Sequence, residues 1–195
     1  MEKSVEDMVT EAISPEEHNI GSLCRLKLPQ DVVSSATYGG RNQCYRYTLK
    51  RVWDSTRPMV MWVLMNPSVA TEECDDRTVA KCQRYTRAWG YGGLLIGNTF
   101  AYRCTDQKRL LETEDPVGPE NDAALLEMAQ QAQLIIAAYG SPHYKLLWDR
   151  GTEVLHLLQQ QGFVIHALQR SSAGRPCHPL YLSSTLLPFP LPSSL

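Results

Sequence analysis

The sequence lacks long apolar runs, closely paired cysteines and a surplus of charge of either sign. No apolar run approaches the ~20 residues that a membrane span needs. The acidic start, MEKSVEDMVTEA, has no apolar segment of the kind found in signal peptides. The six cysteines include no Cys-x-x-Cys pair. These absences predict a cytoplasmic protein with free thiols and no membrane partner.

Charge is nearly balanced, with a formal net charge of −2. Such a chain has no overall basic field to attract nucleic acid, so any contact with phosphates must come from a local patch. Metal-ligand patterns are also missing. His143, Asp149 and His156 fit one helical face, but their spacing is not that of a metal site. We predict no metal and no other cofactor.

The composition is typical of one folded domain, because 195 residues with 43% hydrophobic content can form one full core. Residues 1–20 are polar and acidic, which predicts a mobile arm or a short surface helix. Residues 21–185 form the predicted single α/β domain. The proline-rich residues 186–195 predict an extended tail.

Four continuous apolar runs predict parallel strands that are buried on both faces. These runs are 59–65, 94–98, 134–140 and 163–168. The segment 44–52 alternates instead: one face carries Tyr45, Tyr47 and Leu49, and the other carries Arg46, Thr48 and Lys50. That period predicts a half-buried strand, which would add an antiparallel edge or hairpin at the N-terminal side of the sheet.

Helical patterns lie between the apolar runs, at 76–89, at 119–132 and from Ser141-Pro142 to Gly162. Pro119 suits the first position of the second helix, and Gly162 suits the end of the third. Strand and helix therefore alternate, which predicts a three-layer α/β/α domain around a four-stranded, mainly parallel sheet. The longest uncovered loop is 100–118, and a loop of that length is more often functional than idle.

Polar residues follow each predicted parallel strand. Ligands of open parallel sheets bind at the carboxyl ends of the strands, and this rule selects the loops 66–68, 98–100, 140–143 and 169–180. Although these loops are far apart in the sequence, we expect them to converge in space. Ser141 also begins a predicted helix, whose free backbone N–H groups could hold an anion.

Asn66 and Asn98 each have two interpretations. A side-chain amide carries both donors and an acceptor, so it can orient a water molecule or read the edge of a base. Asn-Pro and Gly-Asn are also common turn sequences. The residues alone leave both interpretations open.

His178 is the second kind of candidate, because a histidine can donate to a developing anion or carry a proton near neutral pH. The rigid Pro179 would hold it in place, although an exposed loop histidine fits the sequence equally well. Cys177 and His178 do not suit a nucleophile and its base, because neighbours in an extended segment point in opposite directions. Ser68 lacks the G-x-S-x-G surroundings of a nucleophile.

Charged residues add two weaker candidates. Asp75 or Asp76 could supply a carboxylate, but capping of the following helix is the more ordinary role. A basic cluster on the long loop consists of Arg103, Lys108 and Arg109. It could contact phosphates, whereas a solvated run of charge is the simpler interpretation.

Taken together, several stretches resemble a bacterial family catalogued as domain of unknown function 1643. The resemblance covers residues from about Tyr45 to Leu182. It is carried by Leu64-Met65-Asn66-Pro67-Ser68, Arg87-Ala88-Trp89-Gly90-Tyr91, Asn98-Thr99-Phe100-Ala101-Tyr102-Arg103, Thr105-Asp106, Asp115-Pro116-Val117-Gly118-Pro119-Glu120-Asn121-Asp122 and His178-Pro179-Leu180-Tyr181-Leu182.

The order of the loops is also similar, more distantly, to that of the uracil-DNA glycosylase superfamily. Its members have an Asn-Pro or Asp-Pro loop after the first core strand and an Asn after the second. A stretch like 135–140 forms the third strand, and a His-Pro loop follows the fourth. The resemblance implies that Asn66 positions the attacking water, that Asn98 reads the base and that His178 stabilises charge on the departing base.

The resemblance also implies which residues contact the substrate. The remaining ones are Met65, Pro67, Ser68, Phe100, Ser141, Pro179, Leu180 and Tyr181. Among these, Leu180 and Tyr181 would wedge the duplex. The sequence departs from the superfamily at three points: residues 69–73 replace a glycine-rich stretch, Leu180 replaces a serine, and no aromatic residue follows Pro67 closely enough to stack on the base. Phe100 is the candidate substitute for that aromatic residue.

Two functional classes follow. In the first, the chain hydrolyses the N-glycosidic bond of a base that is flipped out of DNA or a related nucleic acid. In the second, which the departures favour, the same pocket binds a nucleotide, a modified base or a protein partner without catalysis. A third possibility, an N-glycosidase of free nucleosides or nucleotides, would suit an acidic protein better.

Overall fold

The computed structural model describes residues 26–192, so the predicted acidic arm at 1–20 lies outside the described part. The strands are β1 (Leu26–Lys27), β2 (Val33–Gly39), β3 (Tyr45–Val52), β4 (Met59–Leu64), β5 (Cys74–Asp75), β6 (Gly93–Asn98), β7 (Ala132–Ala137), β8 (Ile165–Ala167) and β9 (Phe189–Pro190). The α-helices within this range are α1 (Arg77–Ala88), α2 (Lys108–Glu112), α3 (Asn121–Gln131) and α4 (Trp148–Gln160). Short 3-10 turns lie at Arg41–Gln43, Lys145–Leu147 and Pro179–Tyr181.

Seven of the described strands form one mixed sheet in the order β2-β3-β6-β4-β7-β8-β9. The four central strands β6, β4, β7 and β8 run parallel to one another. β2 and β3 form an antiparallel hairpin at one edge, and β9 is antiparallel to β8 at the other. The predicted parallel strands and the N-terminal hairpin are thus confirmed, in an α/β fold with a partly parallel sheet. A separate small sheet pairs β1 with β5.

Alternate residues of β4 belong to two hydrophobic clusters. Trp62 is fully buried in the first cluster, together with Val79 and Tyr85 of α1. Met61 and Val63 belong to the second cluster, which includes residues of both α3 and α4. Helices therefore pack against both faces of the sheet, which explains why the strand reads as a continuous apolar run.

The third predicted helix is shorter than expected. It begins at Trp148 instead of Ser141, because Pro142 disfavours helical backbone at Ser141 and Tyr144 is extended (φ −103°, ψ 127°). Leu146, an apolar residue within the predicted helical range, is 85% exposed. The second helix likewise begins at Asn121, not at Pro119, because Gly118 makes a turn with φ of 86°.

The long loop and the proline-rich tail are both more ordered than the sequence suggested. Residues 100–118 contain α2, and Leu110 of that helix is buried in the core. The tail is extended, as expected, but Phe189–Pro190 completes the sheet as β9. The backbone N–H of the buried Leu191 donates to the Ile165 carbonyl oxygen at 2.7 Å.

Candidate functional site

A cavity of about 670 Å³ lies at the carboxyl ends of the parallel strands. Its size is within the range of roughly 300–1,000 Å³ that is usual for small-molecule sites. All four predicted loops contribute to its wall, through Asn66, Ser68, Asn98, Gly140, Ser141, Gln169 and His178. Met65 and Tyr181 also line it. The structure therefore brings together residues that the sequence separates widely; their functional roles stay predictions.

Asn98 ends β6 and is the least satisfied polar residue in this wall. Its side chain is fully buried, and neither the amide nitrogen nor the amide oxygen has a hydrogen-bond partner among the described residues. Leaving a buried donor or acceptor unpaired costs about 1–3 kcal/mol. The cavity wall therefore contains an unpaired amide donor and acceptor that are shielded from solvent.

Asn66 follows β4 and is held by the loop after β6. Its amide nitrogen donates to the Cys104 carbonyl oxygen at 2.7 Å and to the Pro67 carbonyl oxygen at 3.1 Å. These bonds fix the side chain in the cavity wall. They occupy its donor side, so the amide oxygen is the atom that Asn66 can offer to a ligand or a water molecule.

His178 precedes the short turn Pro179–Tyr181 and caps it. Its Nδ1 atom accepts a long hydrogen bond from the Leu180 backbone N–H, at 3.4 Å. In the neutral ring the proton therefore lies on Nε2, which becomes a donor. Burial lowers the pKa of His178, while the carboxylate of Asp76 raises it by a smaller amount. The net effect keeps the imidazole neutral at neutral pH.

Gly140 allows the backbone after β7 to lie close to His178. Gly140 follows β7 with φ of 73°, and a Cβ atom at this position would lie 3.1 Å from the His178 Cβ. The Gly140 N–H also donates to the Pro176 carbonyl oxygen at 3.1 Å. A glycine here lets the loop that carries His178 pack against the end of the third parallel strand.

Arg46 lines the same cavity, although the alternation of β3 predicted it on the outer face with Thr48 and Lys50. The pairing of β2 with β3 jumps from Thr48 to Arg46 and skips Tyr47. Such a bulge re-aims the side chains beyond it, and Arg46 becomes buried at 2% exposure. Nothing in the alternation signals the bulge, so sequence reasoning missed this residue.

The guanidinium of Arg46 is only partly compensated. One nitrogen, Nη1, donates to the Ala70 carbonyl oxygen, and Nε has no partner among the described residues. Burial lowers the pKa of Arg46 to about 10, against an opposing attraction from Asp76. The group is therefore still a cation at neutral pH, in a place where an isolated charge is costly.

Asp76 caps α1 and also lines the cavity, so its position is compatible with both roles that the sequence suggested. Its Oδ1 atom accepts from the Val79 backbone N–H at 2.8 Å, which caps α1, and the residue also lines the cavity. Its neighbour Asp75 is different, because it is buried and forms an ion pair with Arg51 at 2.9 Å. Asp76 is thus the carboxylate that a ligand in the cavity would meet.

Several predicted contact residues lie elsewhere. Phe100 is buried in the hydrophobic core at 4% exposure, so it is not placed to stack on a base in the cavity. Pro67, Pro179 and Leu180 are absent from the cavity wall. Leu180 instead faces a groove on the other side of its turn. Ser141 lines the cavity, but α4 begins at Trp148, so the predicted helix start at Ser141 is wrong.

The predicted phosphate-binding cluster is also dispersed. Arg103 is 4% exposed and lies over the ring of Tyr38 at 5.0 Å, because the loop that carries it pairs with the start of β3. Lys108 is exposed and pairs with Glu112 along α2, at 3.4 Å. Arg109 belongs to the same short helix.

Two further properties concern residues 26–192 as a whole. No helix in this range is both long and apolar enough to traverse a bilayer. The same range contains no cluster of three or more His, Cys, Asp or Glu side chains that could hold a metal ion. Cys177 lines the cavity as a free thiol, and burial raises its pKa, which makes it a weak nucleophile.

Comparison with known proteins gives one match. No curated protein and no solved structure is significantly similar to the chain. A family model described as "Protein of unknown function (DUF1643)" matches residues 46–180, which is more than half of the chain and includes the whole segment from Arg46 to Leu180. The chain therefore belongs to the DUF1643 family.

Proposed function

We propose that the cavity binds a nucleobase and that the chain hydrolyses the N-glycosidic bond of that base in a nucleic acid or nucleotide. The observation that carries the proposal is the buried, unpartnered amide of Asn98 in the cavity wall. An amide presents a donor and an acceptor side by side, and base edges present the complementary pair. A ligand with such an edge would satisfy both atoms at once.

The second support is the charge that the reaction develops. When the bond between the sugar carbon and the base nitrogen breaks, the electron pair stays with the base. The neutral His178 can donate from Nε2 to the atom that becomes negative, and Arg46 places a cation in the same cavity. Preorganised donors aimed at developing charge are typically the largest contribution to catalysis.

The third support is a place for the attacking water. The amide oxygen of Asn66 can accept one hydrogen of that water and orient its oxygen toward the sugar carbon. Asp76 supplies a carboxylate in the same wall, which can take up the proton that the water loses as the new carbon–oxygen bond forms. The departing base takes up a proton from solvent, and Asp76 releases its proton to solvent afterwards, so the reaction consumes one water and regenerates the carboxylate.

The proposal agrees with the distant resemblance to the uracil-DNA glycosylase superfamily. That resemblance assigns water, base edge and leaving group to Asn66, Asn98 and His178 in this order. The three-layer, glycosylase-like version of the α/β fold is part of the same proposal. Arg46 and Asp76 are additions that the resemblance did not supply.

The test is base release from a panel of substrates. Single-stranded and duplex oligonucleotides that each contain one non-standard base, and the corresponding nucleoside monophosphates, are incubated with the full chain. Free base is measured by chromatography. We expect release from at least one substrate and a loss of about 100-fold or more in Asn66→Ala and in His178→Ala.

The matched control is His156→Ala, which removes an exposed imidazole from α4 and should leave release unchanged. Equal release by the wild type, Asn66→Ala and His178→Ala would overturn the proposal. Tight binding without any release would instead assign the cavity to the non-catalytic class.

A further inference from the structure

A second depression lies beside the cavity, between α1 and β1. This groove has a volume of about 390 Å³. Its basic residues are Lys27, Arg77, Arg84 and Arg87, and it is also lined by the apolar residues Leu26, Pro29, Ala80 and Leu180. None of these basic residues belongs to the cluster on α2 and its preceding loop that the sequence suggested for phosphates.

Among residues 26–192, few acidic side chains neutralise the positive charge of the groove. Lys27, Arg77 and Arg84 are exposed and form no ion pair with any residue in the range 26–192. Arg87 is different, because it pairs with Asp31 at 2.9 Å. The carboxylate of Asp75 also borders the groove, but it is buried and already paired with Arg51. The local charge is therefore positive on a chain whose net charge is −2.

The groove and the cavity share a wall. Along α1 and the residue before it, Asp76 and Val79 line the cavity, whereas Arg77 and Arg84 line the groove. The turn Pro179–Tyr181 divides its residues in the same way. Tyr181 faces the cavity and Leu180 faces the groove.

The rim between the two depressions is also suited to a flat ring. Tyr181 is 85% exposed, and its ring lies 5.8 Å from that of His178. Exposed aromatic side chains beside a positive groove are a common arrangement for single-stranded nucleic acid, because every base offers a face for stacking.

We propose that the groove binds the sugar-phosphate backbone of a polynucleotide whose base enters the cavity over the turn Pro179–Tyr181. The inference rests on the proposed function, since it takes the cavity as the base site. The expected substrate is therefore a polynucleotide and not a free nucleotide. The phosphate contacts are expected on α1, and not on α2 as the sequence suggested.

The test measures how salt weakens the binding of a fluorescent single-stranded oligonucleotide to the full chain. Each phosphate contact contributes about 0.7 to the slope of log K against log salt concentration. We therefore expect Arg77→Ala/Arg84→Ala to lower that slope by about 1.4. The charge-matched control is Arg41→Ala/Lys50→Ala on the β2–β3 hairpin, and we expect it to keep the wild-type slope.

A third double variant, Lys108→Ala/Arg109→Ala, distinguishes the two possible paths of the phosphates. A lower slope in this variant and an unchanged one in Arg77→Ala/Arg84→Ala would overturn the inference. The inference would also be overturned if poly-glutamate or vesicles of anionic lipid displaced the fluorescent oligonucleotide as well as unlabelled oligonucleotide does. The groove would then bind anions in general.

The inference and the proposed function fail in different measurements. Affinity for a nucleoside monophosphate depends on the cavity alone, so it should be the same in wild type and in Arg77→Ala/Arg84→Ala. Normal base release with no effect of the groove variant would reject the groove and keep the proposed function. Groove-dependent binding without any base release would reject hydrolysis as the function of the cavity and keep a polynucleotide as the ligand of the groove.

Discussion

Asn121 holds the backbone of Asn98 in place. Its amide nitrogen donates to the Asn98 carbonyl oxygen at 3.0 Å and to the Thr99 carbonyl oxygen at 3.3 Å. Asn121 begins α3 and is fully buried. The helix thereby fixes the strand end that presents the unpartnered amide to the cavity.

We expect Asn121→Leu to lower the free energy of unfolding by about 1–3 kcal/mol, because the buried Asn98 carbonyl oxygen loses the Asn121 donor. The Thr99 carbonyl oxygen keeps a second donor, Arg150 Nε at 2.9 Å. Urea denaturation measures the change. The matched control is Gln131→Leu on the same helix, whose amide donates to the Glu127 carbonyl oxygen at an exposed position. A loss of the same size in both variants would show that Asn121 has no special role.

Asn98→Leu separates stability from function. Leucine is close in size to asparagine and removes two buried polar atoms that lack partners in the described structure. We expect it to raise the free energy of unfolding by roughly 1–3 kcal/mol. Ligand binding in the cavity should be lost at the same time, since residues that bind ligands are often unfavourable for the fold.

Thermal unfolding and base binding are measured on the same preparations of Asn98→Leu. A variant that is less stable than the wild type would mean that the amide already has a partner, and the argument for its role in recognition would fail. A stabilised variant that still binds base would reject that role directly.

The strands were predictable from the sequence because the sheet is covered on both sides. Trp62 and Val63 point to opposite faces of β4, and both are fully buried. Under this condition a strand becomes an uninterrupted apolar run, and its carboxyl end can be located from the first polar residue. The positions of Asn66 and Asn98 follow from that rule.

The remaining parts of the site depend on packing that no local pattern encodes. Arg46 enters the cavity only because one residue is bulged out of the β2–β3 pairing. Phe100 also follows a strand, as Asn66 does, yet its side chain is buried in the second hydrophobic cluster and not in the cavity wall. Distinguishing such residues requires knowing which elements lie next to each strand end.

The buried ion pair between Arg51 and Asp75 fixes the segment that leads into α1. Arg51 is fully buried, and it also donates to the Thr71 carbonyl oxygen at 2.6 Å and to Ser34 Oγ at 2.6 Å. Arg51→Ala leaves the buried Asp75 carboxylate without its cation, while the Gln83 amide still donates to it. We expect a loss of about 3–5 kcal/mol in the free energy of unfolding.

The control for Arg51→Ala is Arg57→Ala, because Arg57 pairs with Asp54 at the surface, with 58% of its side chain exposed. Surface pairs contribute about 0–1 kcal/mol. Denaturant titration of both variants gives the comparison. A small loss for Arg51→Ala would mean that the segment 71–75 is held by other contacts.

Asp76→Asn separates the charge of Asp76 from its capping role. Asparagine caps helices about as well as aspartate, so α1 should remain intact. Since the Asp76 carboxylate raises the pKa of His178, its removal should lower that pKa further. Base release should fall overall in Asp76→Asn, because an amide cannot take up the proton of the attacking water. The release that remains should keep its acid limb at a lower pH than in the wild type, because His178 stays neutral further into acid.

The stability of the chain should follow the same titration. Burial lowers the pKa of His178 in the folded state, so the unfolded chain, with a histidine pKa of about 6.5, takes up the proton first. The contribution of His178 is present above that value and is lost as the pH falls from it to the folded-state pKa. His178→Gln should lack this loss.

NMR titration of the His178 ring in Asp76→Asn measures the pKa shift directly, with Asp149→Asn at the start of α4 as the charge-matched control. An unchanged or raised pKa in Asp76→Asn would show that its carboxylate does not act on the imidazole.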